Sequence, residues 1–447
     1  MSAEREGAEQ VAERLLNAAG PRSGQLLVVA LCLCLNALDG FDITMMAVVA
    51  SDVAEALSLS PQRLGLVFSF ALAGMMLGAT LLAPLADRYG RRPVMLCCIL
   101  LVAGSMFMTA GATTLWQFLL LRLASGLGAG AIIASQAALT AEYSPEKYRA
   151  LAVAVATAGY PLGAVATAAL AGGIVSAHGW QALFLVGGAA TLGFGLVCWL
   201  FLPESIKYLL AAQPRGALER CNRILERFRL ARLDTLPPGG VAAATSPIGG
   251  VPALRLGRIL SPPLRARTLT LWALFFSCFL TLYFLQSWLP RLMETAGHSP
   301  EAARLAFLLF NLGGVIGIVA LGGLSVGHHL SRTIGLFLAM AAVAMVLFAL
   351  LQSRGPILQL LALALAIGVL LQGGFVGLYA VSAKAYPTTA RSTGIGWAIG
   401  VGRAGAVVGP LLVGYLVALG LDLVGISLLF TLPLVLGSLY AFRLDVR

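Results

Sequence analysis

Residues 25–50 read QLLVVALCLCLNALDGFDITMMAVVA, an apolar run interrupted by two charged side chains, Asp39 and Asp42. At 1.5 Å of rise per helical residue, a run of this length crosses a hydrocarbon core of ~30 Å. Eleven further runs of similar character follow, at 63–86, 94–112, 116–141, 150–175, 180–201, 268–290, 304–327, 333–352, 356–381, 392–417 and 421–442. Of 447 residues, 59% are hydrophobic and 11% charged, whereas a water-facing surface keeps the charged share of a soluble domain near ~25%. The reading is an all-α membrane protein of twelve transmembrane helices, and a soluble core is excluded.

The net charge of +11 raises the possibility of a nucleic-acid partner, but its placement argues against one. With the N-terminus in the cytoplasm, the cytoplasmic tails and loops collect 24 Lys and Arg, while the outer loops hold only Arg63, Arg291, Arg304 and Arg354. That is the positive-inside asymmetry, which predicts both termini in the cytoplasm. The basic excess thus reports topology and leaves no role for nucleic acid. The tail at 1–24 carries Glu4, Glu6, Glu9 and Glu13 and lacks the basic start and cleavage site of a signal peptide, so the first apolar segment is expected to remain as a helix. Seven cysteines, six of them in apolar spans, have no metal-ligand or disulfide spacing; no metal and no cofactor is expected.

The polar stretch 203–267 divides the chain into a six-helix half at 25–202 and another at 268–442, followed by a short tail at 443–447. It contains a basic helical piece from Glu219 to Arg232 and then Pro237-Pro238-Gly239-Gly240, the chemistry of a linker whose basic face suits anionic lipid headgroups. The halves look related. Gly78 and Gly317 precede corresponding loops at an offset of 239, and Tyr143-Ser144-Pro145 with Arg149 is echoed by Tyr386-Pro387 with Arg391, the prolines and arginines at an offset of 242. Concordant offsets indicate a parallel repeat, the arrangement of transporters whose halves rock about a central site.

Ionisable residues inside a membrane are costly and mark function. Asp39 and Asp42, separated by three, share a helix face; two carboxylates that close repel when both are ionised, so one is suited to exchanging a proton. Arg403 lies twelve residues beyond Arg391, ~18 Å along the helix and near the midplane. Its guanidinium fork fits a carboxylate bidentately, so it reads either as the anchor of an anionic substrate or as the ion-pair partner of Asp39 or Asp42. Arg122 pairs with an acid of the first helix or draws anions inward. Phe41, Tyr160, Tyr283, Trp288 and Trp397 are candidates for stacking on a planar substrate. Asp87, Arg88, Gly90, Arg91 and Arg92, with Glu142, Arg149 and Arg391, read as a cytoplasmic latch between the halves. Val326 stands where the second copy would repeat Asp87, so that copy is expected to be weaker.

Leu85-Ala86-Asp87-Arg88-Tyr89-Gly90-Arg91-Arg92 resembles the loop signature of the major facilitator superfamily. Asp39-Gly40-Phe41-Asp42 is similar to the first-helix signature of its aromatic acid:proton symporters, and the similarity extends to Tyr283 through Pro290, to Phe310-Asn311-Leu312-Gly313-Gly314 and to Gly396 through Arg403. Pro203-Glu204-Ser205 is a broader feature of the superfamily. The resemblance implies proton-coupled uptake of benzoate-like acids across a bacterial inner membrane, with Asp39, Asp42 and Arg403 as functional residues. The expected partners are thus an aromatic acid, protons and membrane lipids. Drug export by proton antiport and a membrane sensor with a transporter fold are the competing readings. No nucleophile–base or metal cluster suggests an enzyme.

Overall fold

In the computed structural model, residues 11, 16, 23–237, 257, 259–324, 330–386 and 391–444 are described. Twelve helices among them have the length and apolarity to cross a membrane. They are α1 (Ser23–Val48), α2 (Pro61–Tyr89), α3 (Arg91–Ala110), α4 (Leu115–Tyr143), α5 (Glu146–His178), α6 (Trp180–Phe201), α7 (Pro262–Thr295), α8 (Pro300–Leu321), α9 (Leu330–Leu351), α10 (Ile357–Ser382), α11 (Thr393–Ala418) and α12 (Leu423–Arg443). The chain is a multi-pass membrane protein. Val326, Gly327, His328, His329 and Pro387 lie outside the described residues, as does the side chain of Arg391.

Local chemistry starts and stops these helices. Ser60 caps α2, accepting from the Arg63 amide ahead of Pro61, which needs no hydrogen-bond partner for its own nitrogen. Thr114 and Gln117 form a reciprocal capping box at α4. Gly90 and Gly179 take φ of 100° and 77° between consecutive spans, a conformation that favours glycine. Within α2, the π-helical turn Gly78–Leu82 sits where the Gly78 Cα packs on the Leu127 backbone of α4.

The packing repeats. In the first half α1 packs on α5, α2 on α4, and α3 on both α4 and α6; in the second, α7 packs on α11, α8 on α10, and α9 on α10 and α12. Adding six to each number of the first set gives the second, so the weak sequence echo corresponds to one packing plan used twice. Backbone proximity holds it together. A Cβ at Gly163 would collide with the Ala37 carbonyl of α1, and one at Gly317 with the Val369 carbonyl of α10. In membranes, dispersion between closely approached backbones replaces the hydrophobic drive of water.

The halves meet through α2 with α11, α5 with α8, and α1 with α7. Among the described residues, their polar and aromatic cross-contacts gather at the end of the bundle away from the linker. There Ser69 donates to the Val407 carbonyl at 2.7 Å, Phe68 meets Trp288 edge-on at 5.6 Å, and Gly65 lies against Pro410 and Gly414. Arg291 donates to Ser51 at 2.6 Å, and the Ser51 hydroxyl donates to Glu294. Toward the linker end of α11, by contrast, a Cβ at Gly396 or Gly400 would meet nothing.

The linker begins with two helices, Ile206–Ala212 and Ala217–Arg227. The second is shorter than the Glu219–Arg232 piece expected from sequence, because Arg229 takes a φ of 56° and turns the chain. Its apolar side is docked: Cys221 and Leu225 are buried, and Phe228, just beyond, packs edge-on against Tyr143 at 5.3 Å.

Candidate functional site

The two aspartates of α1 part company. Asp42 is fully buried in the first half. It accepts from Arg122 Nη1 at 3.0 Å and from the Ser125 hydroxyl, both on α4. The Arg122 guanidinium also lies over the Phe184 ring of α6, 5.0 Å from its centroid. Of the two readings given to Arg122, pairing with an acid of the first helix is the one the geometry displays. Asp39 is buried too, yet neither carboxylate oxygen has a hydrogen-bond partner.

What faces Asp39 comes from both halves. Its electrostatic neighbours are Asp42 on its own helix and Arg403 on α11. Arg403 is half-buried, makes no hydrogen bond or ion pair among the described residues, and lies near the hydroxyls of Tyr283 and Tyr379 as well as Asp39. Tyr160 of α5 stands beside Tyr283, Asp39 and Gln286, although its hydroxyl completes no hydrogen bond of normal geometry. Backbone contact places it there, since the Tyr160 carbonyl fills the space that a side chain at Gly40 would need. Gly40 between the aspartates therefore lets α5 seat directly on α1.

Beside Arg403 runs an aromatic wall of which sequence reading named only Tyr283. Phe279 and Tyr283 of α7 stack at 5.9 Å, Phe375 of α10 meets Phe279 edge-on at 4.7 Å, and Tyr379 meets Phe375 at 5.6 Å. The signal was present as the four-residue spacing of Phe275, Phe279 and Tyr283, and of Phe375 and Tyr379, which sets rings on one helix face. A half-buried cation beside polarizable ring faces is suited to a planar anion.

Other candidates lie elsewhere. Phe41 packs inside the first half against α6 at Gly187. Trp288 donates to the Pro410 carbonyl at 3.2 Å, seven residues past Arg403 and so ~10 Å farther along α11; it belongs to the contact between halves. Trp397 is exposed and faces Trp272 at 6.0 Å, ~9 Å from Arg403 toward the linker end.

The residues read as a latch form a polar cluster at the linker end. Arg91 pairs with Glu142 at 3.1 Å. Glu142 also accepts from the Ser205 hydroxyl at 2.8 Å and from the Lys207 amide at 2.8 Å. Glu204 accepts from the amides of Arg91 at 2.7 Å, Arg92 at 3.2 Å and Ser205 at 2.9 Å, placing a negative charge at the start of α3. Gly90 is required twice over, by its φ and by the Glu204 carboxylate that abuts its Cα. These contacts join the first half to the linker, so Pro203-Glu204-Ser205 is the piece that sequence reading undervalued. Asp87 and Arg88 are exposed, with Arg88 lying over Tyr89, and Arg149 begins the helical stretch Arg149–Thr157. No cluster of three or more His, Cys, Asp or Glu able to hold a metal occurs among the described residues.

Comparison with known proteins fits this architecture. The family model of the Major Facilitator Superfamily matches residues 32–374. The chain is similar to the 4-hydroxybenzoate transporter PcaK of Pseudomonas putida, 34% identical over 86% of this chain and 84% of that one. It is also similar to a gallate transporter of Pseudomonas putida, at 31% identity over 91% and 88% of the two chains. In fold it is similar to the xylose transporter XylE from E. coli in a partially occluded inward-open conformation, with a TM-score of 0.70, 16% identity and coverage of 95% and 98%. Twelve helices packed on one plan used twice, a charged site between the halves, and a family match over most of the chain lead to one assignment: this protein belongs to the major facilitator superfamily.

Proposed function

We propose that the protein is a secondary transporter, not an enzyme, that takes up an aromatic carboxylate such as a hydroxybenzoate together with a proton, by alternating access across a bacterial inner membrane. One observation carries the reading: Arg403, a cation without a bonded partner among the described residues, faces the unbonded carboxyl of Asp39 across the interface between the halves. The names of the relatives, a 4-hydroxybenzoate and a gallate transporter, support an aromatic acid as the cargo, and the aromatic wall beside Arg403 suits its ring.

In this mechanism the substrate carboxylate takes the guanidinium of Arg403, and Asp39 holds the coupling proton. A buried carboxylate without a partner is costly while ionised, so protonation of Asp39 and arrival of the anion at Arg403 each remove an unpaired charge. The halves then rock, using the doubled packing plan as two rigid bodies. With the termini and the basic linker in the cytoplasm, next to anionic lipid headgroups, the closed end around Ser51, Arg291 and Trp288 is the outer one, and the conformation faces inward. The polar cluster of Arg91, Glu142 and Glu204 then lies on the cytoplasmic side, where it holds the linker to the first half.

Purified protein in proteoliposomes tests this. An outside-acid gradient is expected to drive accumulation of labelled 4-hydroxybenzoate, and Arg403→Ala to abolish its binding. No uptake across a panel of aromatic acids would remove the substrate class; normal binding by Arg403→Ala would remove the anchor.

A further inference from the structure

Gln286 sits in α7, 3% exposed, three residues after Tyr283. Its amide nitrogen donates to Asn311 Oδ1 of α8 at 2.9 Å, and Asn311 in turn donates to the Phe307 carbonyl at 3.0 Å. This chain fixes the orientation of the Gln286 amide and leaves its oxygen, Oε1, buried without a partner. Facing it from the other half is Tyr160, whose hydroxyl oxygen is likewise shielded from solvent and, though within reach of Gln286 and Tyr283, completes no hydrogen bond of normal geometry. Buried polar groups are almost always paired, and a carbonyl oxygen and a hydroxyl beside each other have the chemistry to pair. Here each is held in place by its own half, Gln286 by Asn311 and Tyr160 by its seat on Gly40.

Such a pair accepts one hydrogen bond through Gln286 Oε1 and both donates and accepts through Tyr160 Oη. Its complement is a small group that is donor and acceptor at once, which describes a phenol hydroxyl and not a ring hydrogen. Tyr283 neighbours both Arg403 and Tyr160, so the carboxylate anchor and the unbonded pair flank one aromatic side chain. Resting on the transport reading above, we infer that Gln286 and Tyr160 form a hydroxyl-reading subsite, which makes the transporter selective for ring-hydroxylated benzoates over benzoate itself. The substrate hydroxyl would donate to Gln286 in one half and accept from Tyr160 in the other. Recognition is then complete only when the halves have come together, so the ligand favours the state that closes on it.

The test is equilibrium binding of 4-hydroxybenzoate and of benzoate to the purified full chain, for the wild type, Tyr160→Phe and Gln286→Met. A site built for a hydroxyl discriminates against the analogue without it, because that analogue offers neither the donor nor the acceptor that the two groups engage. The wild type is expected to prefer 4-hydroxybenzoate by ~10-fold or more. Each variant should lose most of that preference through weaker hydroxybenzoate binding, with benzoate affinity held within ~2-fold. Preserved benzoate binding also shows that the variants are folded. Equal wild-type affinity for the two acids, or parallel loss of both in both variants, overturns the subsite and leaves the transport reading standing. Failure of the wild type to bind either acid overturns both.

Discussion

Three residues on an α-helix turn through ~300°, so side chains spaced like those of Asp39 and Asp42 diverge by ~60°. That angle separates the interior of one half from the interface between two. Asp42 turns into the first half to meet Arg122 and Ser125, while Asp39 stays at the boundary. Asp42→Asn is therefore expected to strand a buried guanidinium and lower stability by about 3–5 kcal/mol, read as a depressed melting temperature in detergent. Adding Arg122→Gln should restore much of the loss, since removing both charges leaves none unpaired. Asp39→Asn should melt like the wild type and fail in proton-driven accumulation. Equal melting of the two single variants would contradict this division. That these aspartates stand apart in the first helix was legible in the sequence, because charge in an apolar span is conspicuous. Their division was not, because it depends on what α4 presents to α1.

At the scale of helices, glycines decide where backbones touch. Gly40→Val would drive a branched side chain into the Tyr160 carbonyl. Such overpacking costs about 1–3 kcal/mol or more, and reduced yield of folded protein would check it. The docked linker helix makes a second prediction. Burial pushes the Cys221 thiol up to about 11, so its thiolate fraction at pH 7 is about one in ten thousand. Cys221 should resist a water-soluble maleimide in the native protein and react on denaturation; rapid native labelling would mean the helix is not docked. The twelve spans were readable because hydropathy depends on composition alone. The aromatic wall and the contacts of Glu204 were harder to read: rings spaced by four are common in cores, and a carboxylate that caps a distant helix leaves no local pattern.

For the molecule as a whole, the alternating access proposed above requires the cross-contacts away from the linker to break and re-form. Ser51 and Glu294 touch across the halves, so a Ser51→Cys, Glu294→Cys pair on a cysteine-free background should be bridged by a short bifunctional thiol reagent. Bridging is expected to stop uptake, and reduction to restore it. Continued transport by the bridged protein would show that this end need not open. Arg291→Ala should have a milder effect, raising the fraction of molecules open at that end, as measured by accessibility of the single Ser51→Cys variant.

The ion pair of Asp42 and Arg122 has one more consequence. Its two charges sum to zero and lie in the same half, so they travel together when that half rocks and displace no net charge through the membrane's electric field. An elementary charge moved through the full field is worth ~2.3 kcal/mol per 100 mV, and this pair is exempt from that term. On the transport mechanism proposed above, the voltage sensitivity of the cycle would be left to Asp39, Arg403 and their cargo. One proton carried with one monovalent carboxylate would make transport electrically silent, with the acid gradient alone setting how far the substrate accumulates.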